Sequence, residues 1–160
     1  MGRMIAGVLV GYITMFALVF ATFSLAYLML GSEGSFKPDS FEVTGTWLVV
    51  SIILSLIAAV GGGLVAGWIS RDPRTLVYLA GLVIVLGIGM AIPETMHDDR
   101  NDPVFRSSEL SNRDAMMQAQ QPLWLTFLNP FLGAMGVMVG GGLGRRSDAE
   151  EGVGGSKGER

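Results

Sequence analysis

Four uncharged apolar runs, separated by polar stretches, set the pattern of the chain. The first, Met4 to Leu30, contains no charged residue. At 1.5 Å per residue its roughly 27 positions are enough to cross about 30 Å of hydrocarbon with tilt to spare. It is also far longer than the ~7–15 residues of a secretory h-region, so it reads as an uncleaved span despite the small residues Ala21, Ser24 and Ala26. Three more runs follow, Trp47 to Ile69, Thr75 to Ile92 and Leu123 to Leu143. The pattern predicts an all-α polytopic membrane protein. Its transmembrane domain covers 1–146, with spans at about 4–30, 47–69, 75–92 and 123–143. The Gly- and Ser-rich, charge-balanced tail, 147–160, is expected to be disordered.

The polar stretches say how the runs are joined. Ser70 to Thr75, carrying Arg71, Pro73 and Arg74, reads as a tight turn between spans two and three. Gly31 to Thr46 is an acidic loop with turn chemistry at Pro38 and Asp39, and Phe36 and Phe41 are placed to dip into the interface. Pro93 closes the third span, and a longer acidic loop over about 93–122 follows. Within it Ser111 and Asp114 have capping-box spacing, which suggests a short helix over 112–121 leading through Pro122 into the last span. Trp47 and Trp68 stand about one bilayer apart, as an aromatic belt would.

Charge then orients the spans. Arg3, Arg71, Arg74, Arg145 and Arg146 hug span ends on one side, whereas Lys37, Arg100, Arg106 and Arg113 are scattered through the acidic loops on the other. The positive-inside tendency puts both termini in the cytoplasm, both loops outside, and the chain in a plasma membrane of the bacterial inner-membrane kind. Only 16% of residues are charged and mean hydropathy is +0.49, a membrane composition that leaves no basic patch for nucleic acid. The absence of cysteine excludes disulfides, thiolate metal sites and cysteine nucleophiles.

Within the spans the sequence offers small residues and very little polarity. Gly7 with Gly11, Gly63 with Gly67, and Gly136 with Gly140 have the four-residue spacing that lets helix backbones approach closely. GGGL recurs at Gly61 to Leu64 and Gly140 to Leu143, a hint of two tandem hairpins of like orientation. Asn129 beside Pro130 is the strongest polar feature at depth. The proline deprives the Thr126 carbonyl of its donor and favours a bend, while the amide suits hydrogen bonding between helices or, alternatively, a substrate or lipid site.

Candidate chemistry outside the spans is confined to His97, Asp98, Asp99 and Asp102, an imidazole and carboxylates able to ligate a divalent cation but without the spacing of a recognised cage. A solvated acidic loop accounts for the same residues. Inside the spans no Asp, Glu, Lys, Arg or His occurs, which argues against proton relays and charge-lined pathways. There is no phosphate loop or HExxH motif, so neither an enzyme nor a bound cofactor is expected. The leading expectation is a non-catalytic bundle that uses its glycine faces to join itself or other membrane subunits in the lipid bilayer, as an assembly or accessory subunit. A small-solute or lipid transporter is the alternative, and a sensor using the acidic loop the third.

Overall fold

The computed structural model describes residues 1–38, 42–96 and 121–154. It is all-helical: α1 Gly2–Ser35, α2 Gly45–Ser70, α3 Pro73–Met96 and α4 Leu123–Gly154. Each contains a segment long and apolar enough to cross a membrane, Gly2–Gly31, Gly45–Ser70, Pro73–Pro93 and Leu123–Gly144. The expected short helix over 112–121 and the residues from 97 to 120 lie outside the described residues.

The helices alternate in direction, so that the start of α1, the α2–α3 turn and the far part of α4 share one end. Gly7 of α1 meets Ala66 and Ser70 of α2 and Thr75 of α3 there, and Gly67 of α2 meets Gly141 of α4. The most extensive packing is between α2 and α4, followed by α1 with α2 and α3 with α4. The inward face of α2 is small along most of its length: Ala58, Ala59, Gly62, Gly63, Ala66 and Gly67 form its buried stripe, against which α3 and α4 bury Leu76, Leu79 and Val137. Faces turned outward are bulky, and Ile5, Leu9, Ile13, Phe16 and Phe20 form an exposed row at helical spacing on α1. Large outside and small inside is what packing without a hydrophobic drive between helices produces in lipid.

Contacts between α2 and α4 repeat about a local twofold axis. A Cβ on Gly63 would strike the Val137 backbone, and one on Gly140 would strike the backbone of Val60. Farther along, a Cβ on Gly67 would lie 2.8 Å from the Gly141 carbonyl oxygen, and one on Gly144 2.8 Å from that of Leu64. A single shift of 77 positions carries Val60 to Val137, Gly63 to Gly140, Leu64 to Gly141 and Gly67 to Gly144, exchanging each contact with its mate. It also carries Trp47 to Trp124 and Leu48 to Leu125. The two GGGL strings are 79 apart, two positions out of this register, so the string match misaligns the helices that the contacts relate.

Local chemistry explains the helix ends. Arg71 takes a left-handed conformation (φ 56°) and its N–H donates to the Gly67 carbonyl, closing α2. Asp72 then accepts the Arg74 N–H on Oδ1 at 2.9 Å, and Pro73 sits in the first turn of α3, where its missing N–H costs nothing. Pro93 does not close α3, as expected from sequence; it removes only the bond to the Gly89 carbonyl, and the helix carries on to Met96. The last helix likewise passes the expected exit at 143 and runs to Gly154, through part of the tail expected to be disordered. Ala149, Glu150 and Glu151 are good helix formers there.

The other end of α1 is built by a small hairpin. At Gly31 the chain adopts φ 67°, ψ −178°, a region essentially reserved for glycine, and α1 is kinked there. Phe36 and Val43 then form an antiparallel bridge, supported by Lys37 N–H to the Glu42 carbonyl and Thr44 N–H to the Ser35 carbonyl. The Thr44 hydroxyl donates to the Gly34 carbonyl (2.6 Å) and accepts the Trp47 N–H (3.1 Å), tying the hairpin to the first turn of α2. Gly31→Ala is expected to lower stability by about 1–3 kcal/mol through backbone strain alone, since nothing lies within 4 Å of an added Cβ. An SDS unfolding titration in mixed micelles checks this, with Gly45→Ala, also in open space but without the positive φ, as its control.

Beneath the hairpin lies an aromatic cluster. Trp47 meets Phe23 edge-on at 6.0 Å and Tyr27 at 6.1 Å, and Tyr27 meets Phe36 at 6.3 Å. Trp47 is only 6% exposed and Phe36 3%, so neither faces the headgroup region as their sequence positions suggested; Trp68, 62% exposed, does face outward. The reason is the kink at Gly31, which turns the hairpin back over the helix ends and covers both rings.

Candidate functional site

The glycines singled out by spacing all face helices of this same chain. Gly7 and Gly11 let α1 settle on Ala66 and Gly62, and a Cβ on Gly11 would stand 2.7 Å from the Ala66 Cβ. Gly63 and Gly67 face α4, while Gly136 and Gly140 return the contact to α2. They build the bundle rather than an outward patch. His97, Asp98, Asp99 and Asp102 lie outside the described residues. Among the described residues no three His, Cys, Asp or Glu side chains come together.

What the bundle leaves open is a cleft of about 340 Å³ to which all four helices contribute, within the range of small-molecule sites. From α1 come Tyr12, Met15 and Val19, and from α2 Ser55 and Ala59. Val83, Leu86, Gly87 and Met90 supply the α3 wall. Thr126, Asn129, Pro130 and Gly133 supply the α4 wall, and Gln121 stands before α4. Between Thr126 and Gly133 the cleft follows α4 for about 10 Å at the helical rise. A second hollow of about 360 Å³ at the loop end is lined by Lys37, Glu42, Val43 and Leu48 and shares Gln121 with the first. The exposed Lys37–Glu42 ion pair, at 2.5 Å, adds little stability there.

The α4 wall owes its shape to Pro130. Its ring is seated where Gly87 of α3 carries no side chain, so that a Cβ on Gly87 would strike it. With no N–H on Pro130, the Thr126 carbonyl lacks its usual helical donor, and both residues line the cleft. Asn129 follows the same wall. Its Oδ1 is buried and has no hydrogen-bond partner among the described residues. The bond between helices expected of Asn129 from sequence is not made by this oxygen. Ser35 Oγ and Thr75 Oγ1 are also buried without partners, but neither lines the cleft. An unpaired buried acceptor typically costs about 1–3 kcal/mol.

Chemically the cleft is an apolar trough with a few neutral polar groups and no carboxylate, imidazole, ammonium or guanidinium among its lining residues. Of these groups, the sequence marked Asn129, Pro130 and the Thr126 carbonyl and passed over Ser55 and Gln121. Thr22, also polar and also on α1, donates instead to the Leu18 carbonyl at 2.7 Å, as an isolated hydroxyl in a span does. Hydroxyls satisfied by their own helix and hydroxyls turned to a cavity look alike in sequence. Compared with known protein families, curated proteins and solved structures, the chain matches none.

Proposed function

We propose that this is a non-catalytic membrane protein that takes an amphiphilic lipid or small solute into the cleft between its four helices, as a carrier or transporter does. The observation that carries the reading is the buried, unpartnered Asn129 Oδ1 on the wall of a cleft large enough for a ligand. Contacts of α2 with α4 repeat about a local twofold, both helices line the cleft, and in transporters built from parallel repeats substrate sites lie where the repeats meet. The glycine faces that suggested an assembly role are occupied within the chain, so a partner subunit would have to meet bulky outward side chains instead. By the positive-inside tendency the end bearing Arg3, Arg71 and Arg74 is cytoplasmic in a plasma membrane, and the cleft, with Gln121 before α4 in its lining, reaches toward the other end.

Asn129→Leu is the test. Replacing an unpaired buried amide by an apolar side chain of similar size is expected to leave stability unchanged or raise it by about 1 kcal/mol. The amphiphile that co-purifies with the wild type, seen by native mass spectrometry, is expected to disappear. Retention of that ligand by the variant would sink the assignment of Asn129 to the site, and a clear loss of stability would return it to a packing role.

A further inference from the structure

The cleft as a ligand site is the premise here; on it, the geometry points to the chemical class of the head that binds. We infer that the site selects an uncharged amphiphile whose head is a hydrogen-bond donor, a hydroxyl or a primary amide, over fatty anions and over molecules with acceptors alone. Two residues of one wall carry acceptors within a turn of each other: Asn129, whose Oδ1 is buried and unpartnered among the described residues, and Thr126, whose carbonyl Pro130 leaves without its helical N–H. A donor brought to Asn129 Oδ1 satisfies an acceptor that is otherwise unpartnered among the described residues, whereas a second acceptor leaves it so.

Charge is selected against from both signs. No Lys, Arg or His lines the cleft to receive a carboxylate or phosphate, and no Asp or Glu to receive an ammonium. An ion entering would lose its hydration without compensation, which at this depth excludes it more strongly than any single contact could attract it. The remaining lining suits a chain. Met15 of α1 and Met90 of α3 stand with Val19, Val83 and Leu86, and the unbranched thioethers adapt to an irregular apolar tail.

The experiment places the purified full-length protein in phosphatidylcholine nanodiscs, a lipid without a donor, and dopes them with one of three probes. These are 1-monooleoylglycerol, a neutral donor; methyl oleate, with acceptors only; and oleate, an anion. Retention is read by native mass spectrometry. The expected result is at least about tenfold preferential retention of monooleoylglycerol, falling to the methyl oleate level in Asn129→Leu. Ser55→Phe, which fills the trough without touching the acceptors, is expected to displace the probe altogether. Equal retention of all three probes, each displaced by Ser55→Phe, would overturn the inferred head class and leave the cleft as a ligand site. Preference for oleate would likewise overturn the head class. Failure to retain any probe, or retention indifferent to Ser55→Phe, would overturn the ligand site itself and this inference with it.

Discussion

Adding one methyl group at Gly140 is expected to cost the protein about 3 kcal/mol of stability, enough to unfold much of a marginally stable bundle. The new Cβ would coincide with the carbonyl and Cα of Val60, which are backbone atoms of α2 and cannot move aside by changing rotamer. Relief requires the two helices to separate, and that removes the reciprocal contact of Gly63 with Val137 as well. An SDS titration of Gly140→Ala, followed by tryptophan fluorescence, measures the effect. Gly89→Ala is the control: nothing lies within 4 Å of its added Cβ, and replacing a mid-helix glycine there is expected to leave the midpoint unchanged or raise stability by about 0.5–1 kcal/mol. Equal behaviour of the two variants would mean that α2 and α4 do not touch as described.

Trp47→Ala is expected to have a comparable effect at the other end of the molecule, about 3 kcal/mol, because it empties the centre of the Phe23, Tyr27 and Trp47 cluster. The hairpin loses its floor at the same time. Phe36, which rests on Tyr27, is expected to come loose and expose the peptide bond between Phe36 and Lys37 to chymotrypsin. Trp68→Ala, at an outward position, is expected to change stability by less than about 0.5 kcal/mol. Were the tryptophans a matched pair of interfacial anchors, the two substitutions would have similar effects. A difference of several-fold distinguishes a core residue from a belt residue.

The spans were legible in the sequence because the physics behind them is one-dimensional: charge cannot enter hydrocarbon, so its absence over a sufficient length marks a crossing. The Ser70–Thr75 turn was legible for a similar reason, with Asp72 and Pro73 carrying their capping chemistry locally. What the sequence withheld was which surface meets which. Four-residue glycine spacing announces close approach but does not say whether Gly63 faces Val137 of its own chain or a different subunit. Trp47 likewise reads as an interfacial residue until the Gly31 kink is seen to fold the hairpin over it. The cleft was half visible. Asn129 and Pro130 stood out as polarity and a missing donor at depth, but Tyr12 and Ser55 join them only through the order of helices in space.

The local twofold bears on why these helices share one chain. Two separate hairpins meeting through the same Val and Gly contacts would be identical, and a polar wall present on one would be present on both. Joined by a connecting loop, the halves are free to differ. At the positions of α2 that correspond to Asn129 and Pro130 in α4 stand Ile52 and Ile53. The glycine contacts of α2 with α4 keep their symmetry, while the Asn129–Pro130 pair stands on α4 alone. One chain therefore gives this bundle what a symmetric pair of hairpins cannot have: a cleft with one wall unlike its mate.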